Sequence, residues 1–260
     1  MDQLGSVLTD IGPVVVAFSG GADSAFLAWV ATDVLGPGRA QCTTAVSPSL
    51  AGDELDGCRS LAEAWGLEWS TVATDELDRL AYVANGPDRC AHCKAALMDV
   101  LRPQAEALGG TVVLGVNLDD LGDHRPGQAA AAGSGARFPL VEARFTKAMV
   151  RQASRRLGLV TWDKPAGACL ASRIPYGVAV TVGALGSVQR AEAALRELGL
   201  RQVRVRHHGD VARVEVDPIE LDEAFRLRQE VAGAVRSAGY AYVALDLDGF
   251  RSGSLNEVLG

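Results

Sequence analysis

The chain has 260 residues, 48% hydrophobic and 22% charged, with a formal net charge of −7. That balance excludes a disordered chain, a collagen-like chain and a coiled coil, and suits one large or two small domains. No apolar run is long enough to cross a bilayer, and the amino terminus lacks a basic region followed by an apolar stretch. The acidic balance gives no bulk pull toward phosphate backbones. A cytoplasmic protein with no membrane and no nucleic-acid partner is therefore expected.

Residues 13–18 form a Val-rich run that reads as a strand. It leads into Ser19-Gly20-Gly21-Ala22-Asp23-Ser24 and an apolar-periodic helix through about Leu35. Further strands are expected at 41–46, 68–73 and 111–116, with helices at 53–66 and 94–108 between them. Strands alternating with helices predict a parallel sheet, whose ligands lie at the carboxyl ends of its strands. The loops opening at Ser19, Thr44 and Asn117 are then the ones that matter. Residues 122–135, rich in Gly and Ala, read as a mobile segment, and 146–157 as a basic helix. Pro165, Gly167 and Pro175 mark 162–177 as a link. Beyond it a helix (187–198), a hairpin (203–205 with 211–216), a helix (221–238) and a strand (242–247) predict a small α+β domain. The expected fold is α/β, with a parallel-sheet domain over 1–165 and the smaller domain over 178–260. A cysteine loop, 166–177, joins them.

The segment from Ser19 to Ser24 sits between a strand and a helix. Gly20 and Gly21 let backbone approach an anion closely, and N–H groups at the helix start point toward it. Ser19 and Ser24 add hydroxyl donors. Asp23 fits such a site by orienting the turn or by holding magnesium against phosphates. The plain structural alternative is a glycine turn with Asp23 and Ser24 capping a helix. These residues resemble the SGGxDS signature of the PP-loop ATP pyrophosphatases. The resemblance implies cleavage of ATP between its α and β phosphates, with adenylation of a substrate, and places adenine against 44–47, Thr44 included. Asp119, Asp120 and Asp123 follow a strand end, where they could position magnesium or ribose, or simply cap a turn. Arg125 could close on pyrophosphate.

Five cysteines in such a chain favour reactive or metal-binding thiols over a disulfide framework. Cys90 and Cys93 form a C-x2-C pair just ahead of a helix, where thiol pKa values fall. Cys169 lies in a small, flexible stretch with Arg173 four residues on, an arrangement that can expose a thiol and stabilise its anion. Cys42 and Cys58 read as core residues. Four readings stand for the other three, in this order. They are a three-cysteine iron–sulfur cluster, a redox pair that recharges Cys169, incidental structure, and a zinc site completed by His92, His124 or Cys169.

Longer motifs narrow the resemblance. Residues 115–127, Thr161-Trp162-Asp163-Lys164-Pro165, residues 168–177 and Gly253-Ser254-Leu255-Asn256-Glu257 together resemble the LarE sulfur transferases. That resemblance implies an enzyme that adenylates a carboxylate of pyridinium-3,5-biscarboxylic acid mononucleotide and converts it to a thiocarboxylate, in making the nickel-pincer nucleotide cofactor. It implies ATP and Mg²⁺, a small-molecule mononucleotide substrate and a homo-oligomer. The sulfur would come from Cys169, left as dehydroalanine, or through a [4Fe–4S] cluster on Cys90, Cys93 and Cys169. Arg204 and Arg206 would bind the substrate phosphate, and Glu192, Glu215 and Glu223 a divalent ion. Read from the residues alone, Arg204 and Arg206 alternate with inward-facing valines on a solvated hairpin face carrying cross-strand ion pairs. A tRNA-thiolating enzyme, or another adenylating enzyme built on the same turn, is the alternative. A nucleotide sensor without chemistry is a third possibility.

Overall fold

The structure, a computed structural model, describes residues 1–122, 126–165, 167–251 and 253–254. In chain order it runs α1 (Asp2–Ile11), β1 (Val14–Ala17), α2 (Ala22–Leu35), β2 (Ala40–Val46), α3 (Gly52–Trp65) and β3 (Glu68–Ala73). Next come α4 (Leu80–Val83), α5 (Arg89–Leu108), β4 (Thr111–Val113), α6 (Pro126–Gly133), α7 (Pro139–Glu142) and α8 (Lys147–Arg156). The remainder is α9 (Val182–Glu197), β5 (Val203–His208), β6 (Val211–Val216), α10 (Leu221–Arg226), α11 (Arg228–Ser237) and β7 (Tyr242–Leu245). The chain divides into two compact units, Met1–Arg79 with Asp88–Gly167, and Leu80–Pro87 with Ala168–Gly260. The cysteine loop from Ala168 on therefore belongs to the second unit, together with a short segment taken from the middle of the first. Among the described residues no helix is long and apolar enough to cross a membrane.

The first unit is built on a four-stranded parallel sheet in the order β3-β2-β1-β4. Helices cover both faces, which is why β1 reads as unbroken Val rather than as an alternation. Val14 and Val16 bury against Phe26, Val30 and Leu61, while Val15 buries against Met98, Leu101 and Val112 on the other side. The second unit carries a three-stranded sheet, β5-β6-β7, with β5 and β6 antiparallel and β6 and β7 parallel. Its core joins Val203, Val205, Val214 and Val216 to Leu195 of α9 and to Val231 and Val235 of α11. The fold is thus the α/β class expected, a parallel-sheet domain consistent with the PP-loop type and a smaller α+β domain.

Several boundaries differ from expectation, each for a local reason. Ahead of the first expected strand stands the helix α1, one face of which Leu4 and Leu8 bury completely. Strand β4 stops at Val113 because the chain turns sharply at Gly115, where the Val116 N–H bonds back to the Leu114 carbonyl at 2.9 Å. Residues 126–133 of the expected mobile stretch form α6. Its Gly127 lies so close to α5 that a Cβ there would meet the Cys90 carbonyl oxygen at 2.8 Å. Helix α9 starts at Val182, five residues before the expected 187. Thr181 caps it, accepting from the Ala184 N–H at 3.1 Å, whereas Gly183 and Gly186 break the sequence pattern there. The single helix expected over 221–238 is two, interrupted at Leu227.

Candidate active site

The turn after β1 is assembled from both sides. Ser24, on the first turn of α2, accepts the Ser19 N–H at 3.3 Å, donates to the Gly21 carbonyl at 3.2 Å, and lies 3.0 Å from the Ser19 hydroxyl. Gly20 has φ +66°, in the left-handed region that glycine alone enters without cost, and a Cβ there would sit 2.9 Å from the Cys58 sulfur. Gly115 is equally constrained, since its Cβ would come within 2.7 Å of the Ser24 nitrogen. The end of β4 therefore presses directly on the start of α2, and only glycine fits between them.

Asp23 points to one side of this turn. Its carboxylate is ion-paired with Lys147, the first residue of α8, and accepts from the Asn117 side chain at 3.3 Å. Asn117 also organises the neighbouring carboxylates. Its N–H donates to Asp120 at 3.1 Å and its side-chain oxygen accepts the Asp119 N–H at 3.0 Å. Asp119 then accepts the Lys147 backbone N–H at 2.8 Å. Across the turn, Lys164 donates to the Gly20 carbonyl at 3.2 Å and to Glu54 at 2.7 Å. Ser19, Gly20, Gly21, Asp23, Ser24, Asp119 and Asp120 thus come together at the carboxyl end of the sheet. Arg125, Asp123 and His124 lie outside the described residues, as do Leu255, Asn256 and Glu257. Thr44 is at the right strand end, but its hydroxyl is turned inward. It donates to the Phe18 carbonyl at 2.7 Å and accepts from the Trp69 indole at 2.9 Å, so it braces the end of β1.

Sequence reasoning passed over Lys147. One signal was available: the chain holds only three lysines among 25 basic residues. Two of the three reach this one turn. The third, Lys94, follows the cysteine pair, whose residues lie inside the first turns of α5 rather than ahead of it. Cys90 is exposed and Cys93 half-buried. Cys42 and Cys58 are buried as expected; burial pushes the Cys42 thiol up to about 12 and raises that of Cys58 as well.

In the second unit, Cys169 is exposed at the start of a 3₁₀ turn, Leu170–Arg173. Arg173 was expected to stand by the thiol. Instead it is only 3% exposed, with its guanidinium on the Ala168 carbonyl at 2.6 Å, the Cys169 carbonyl at 3.0 Å and the Ser172 hydroxyl at 2.9 Å. Its remaining donors make a two-point pair with Glu192, at 2.8 and 3.1 Å. Arg173 thus shapes the backbone that carries the cysteine.

The arginine face of β5 is not solvated. Arg204 and Arg206 are 8% and 5% exposed, because the turn after Cys169 and Phe250 cover them. Arg206 pairs with Glu215 at 2.9 and 2.7 Å, diagonally across the strands, and donates to the Ser172 carbonyl at 2.9 Å. Arg204 donates to the Val203 carbonyl at 2.8 Å, and burial, with Arg173 nearby, pushes its guanidinium down to about 10.

The glutamates expected to share a divalent ion are not gathered for it. Glu192 accepts from Arg173, from Arg196 at 3.0 Å and from the Val205 N–H at 3.0 Å, which fills its acceptor sites. Glu215 serves Arg206 and Arg213. Glu223 is exposed on α10 and pairs with Arg226, which lowers its pKa. Among the described residues no three His, Cys, Asp or Glu side chains are gathered to hold a metal ion.

A parallel-sheet domain with a glycine turn and carboxylates at its strand ends, and a small domain presenting an exposed thiol, define an α/β protein of two parts. No family model matches the chain. It is 44% identical to an uncharacterized protein of Synechocystis over all of this chain and 97% of that relative. It is 38% identical to the pyridinium-3,5-bisthiocarboxylic acid mononucleotide synthase of Lactiplantibacillus plantarum, covering 98% of this chain and 92% of the synthase. An uncharacterized protein of Methanocaldococcus jannaschii is 23% identical over 92% of this chain and 91% of the relative. The chain belongs to the LarE sulfur transferase family.

Proposed function

We propose that the chain is an ATP-dependent sulfur transferase that adenylates a carboxylate of pyridinium-3,5-biscarboxylic acid mononucleotide and converts it to a thiocarboxylate, a step in making the nickel-pincer nucleotide cofactor. The observation that carries the reading is the full-length likeness to a synthase named for the bisthiocarboxylic product. The exposed thiol of Cys169 in an ordered loop supplies the nucleophile that such a product needs.

The turn from Ser19 to Ser24 would receive the triphosphate on backbone N–H groups at the start of α2. Lys147 and Lys164 are half-exposed, so exchanging their present carboxylate or carbonyl partners for phosphate oxygens costs little. Asp23, Asp119 and Asp120 are the carboxylates that would hold magnesium, which neutralises phosphate charge when bound. A substrate carboxylate oxygen attacks the α-phosphorus, and pyrophosphate leaves. The Cys169 thiolate then attacks the acyl adenylate, forming a thioester and releasing AMP. Loss of the Cys169 α-proton and rupture of its Cβ–S bond leave the sulfur on the substrate as thiocarboxylate and dehydroalanine in the chain. Work in the cytoplasm as a homo-oligomer belongs to the same reading.

The test is turnover with the mononucleotide and Mg-ATP. Pyrophosphate and AMP should appear only with both substrates, and intact mass should fall by one hydrogen sulfide, mapped to Cys169. Cys169→Ala should still bind ATP and release pyrophosphate but make no thiocarboxylate. Normal sulfur transfer by Cys169→Ala would refute the reading, and tight binding of bulk tRNA at physiological salt would favour tRNA thiolation instead.

A further inference from the structure

Residues Leu80–Pro87 interrupt the first unit and belong to the second, and nothing in the chemistry above explains them. Their centre is Asn85, completely buried, with φ +56°. Few residues other than glycine occupy that left-handed region, and asparagine is foremost among them. The Asn85 side-chain nitrogen lies 2.8 Å from the Pro175 carbonyl, 2.8 Å from that of Val178 and 3.2 Å from that of Ile174. An amide carries two hydrogens, so the longest of these contacts shares one. The Asn85 carbonyl accepts the Gly177 N–H at 3.0 Å, and the Val83 carbonyl accepts the Val180 N–H at 2.9 Å.

The stretch following Cys169 is therefore closed at both ends. Arg173, fixed by Glu192, gathers the carbonyls of Ala168 and Cys169; Asn85 gathers those of 174, 175 and 178. The position is selective. Glycine accepts the backbone angle but brings no donors. Aspartate accepts the angle but turns acceptors toward three carbonyls. Alanine has neither advantage. Asparagine alone meets the backbone and the donor requirement together.

We propose that Asn85 is a positioning residue for sulfur transfer: by tying residues 174–180 to the strap at 83–85, it fixes the conformation in which the Cys169 thiol is presented. The proposal rests on the reading of Cys169 as the sulfur-bearing residue. It assigns Asn85 no contact with substrate and no part in adenylation.

The experiment compares full-length wild type with Asn85→Gly, which keeps the backbone angle and deletes the donors, and Asn85→Asp, which keeps the shape and reverses the polarity. Pyrophosphate release dependent on the mononucleotide should stay within about twofold of wild type, while thiocarboxylate formation falls by about tenfold or more. Iodoacetamide alkylation of Cys169, followed by peptide mass spectrometry without nucleotide, should change by about threefold or more, with Cys90 alkylated at its wild-type rate. Wild-type rates of both thiocarboxylate formation and Cys169 alkylation in folded Asn85→Gly would overturn the proposal. Should neither variant fold, hydrogen exchange on the wild type decides. The amides of Gly177 and Val180 should be protected by about a hundredfold or more, and exchange at open-loop rates overturns the idea. Failure of the underlying reading looks different: Cys169→Ala would then keep making thiocarboxylate, whatever Asn85 does to alkylation.

Discussion

The turn at Ser19 and the loop at Cys169 are held by opposite means. Around the turn, the cations are lysines with side chains 33% and 27% exposed, each on one carboxylate, and the close contacts are made by glycine. Around the cysteine loop, the cations are arginines with side chains 3% and 6% exposed, each in a two-point pair with a carboxylate at 1%. A half-exposed pair is worth little and can be exchanged for a ligand. Breaking a buried pair leaves a bare charge, so such a pair is fixed scaffolding. Under the proposed function, the first arrangement suits a turn that accepts and releases an anion, and the second a loop that keeps the sulfur of Cys169 in a set place.

The sharpest way to break this comparison is to remove one carboxylate from each side. Glu192→Ala strands Arg173, Arg196 and the Val205 N–H, and should cost about 3–5 kcal/mol in thermal or denaturant unfolding. Glu54→Ala, which removes the half-exposed partner of Lys164, should cost less than about 1 kcal/mol. Equal losses would abolish the distinction.

A second probe is Gly115→Ala, whose added methyl must displace the Ser24 backbone. It should cost about 1–3 kcal/mol and weaken nucleotide binding in calorimetry, while Cys169 alkylation is unchanged. Lys147→Ala sharpens the comparison further. It should alter stability by less than about 1 kcal/mol yet weaken ATP binding, which would separate the ligand-facing role of the lysine from any part in the fold.

The smallest effect concerns the thiols. A raised pKa favours the protonated form, so at pH 8 Cys42, pushed up to about 12, has roughly one thiolate in ten thousand. An Ellman titration of the native protein should spare Cys42 and Cys58 and modify the exposed Cys90 and Cys169, with all five reacting after denaturation. Rapid native reaction of Cys42 would show that the sheet around it opens.

Much of the first unit was legible because its signals are local. The Val run of β1, the doubled glycine and the helix-length apolar periods all lie in continuous stretches, and the strands fell within a few residues of expectation. The second unit was harder, since its organising contacts join distant residues. Arg204 and Arg206 alternate with valine exactly as an exposed strand face would. Only the covering by the turn after Cys169 and by Phe250 makes them interior, and no pattern within 203–208 announces that cover. Asn85 stands 89 residues from the nearest carbonyl it binds. Lys147 could have been found through lysine scarcity, but its partner Asp23 is 124 residues away.

The strap at Leu80–Pro87 has a consequence for anyone who would take the molecule apart. Because those residues serve the second unit while lying within the stretch that encodes the first, no single cut in the gene yields two whole halves. A fragment beginning at residue 168 would lack its Asn85 clasp, and a chimera spliced there would marry one parent's clasp to the other's loop. Recombination between relatives is therefore expected to exchange 80–87 and 168–180 as one set or not at all.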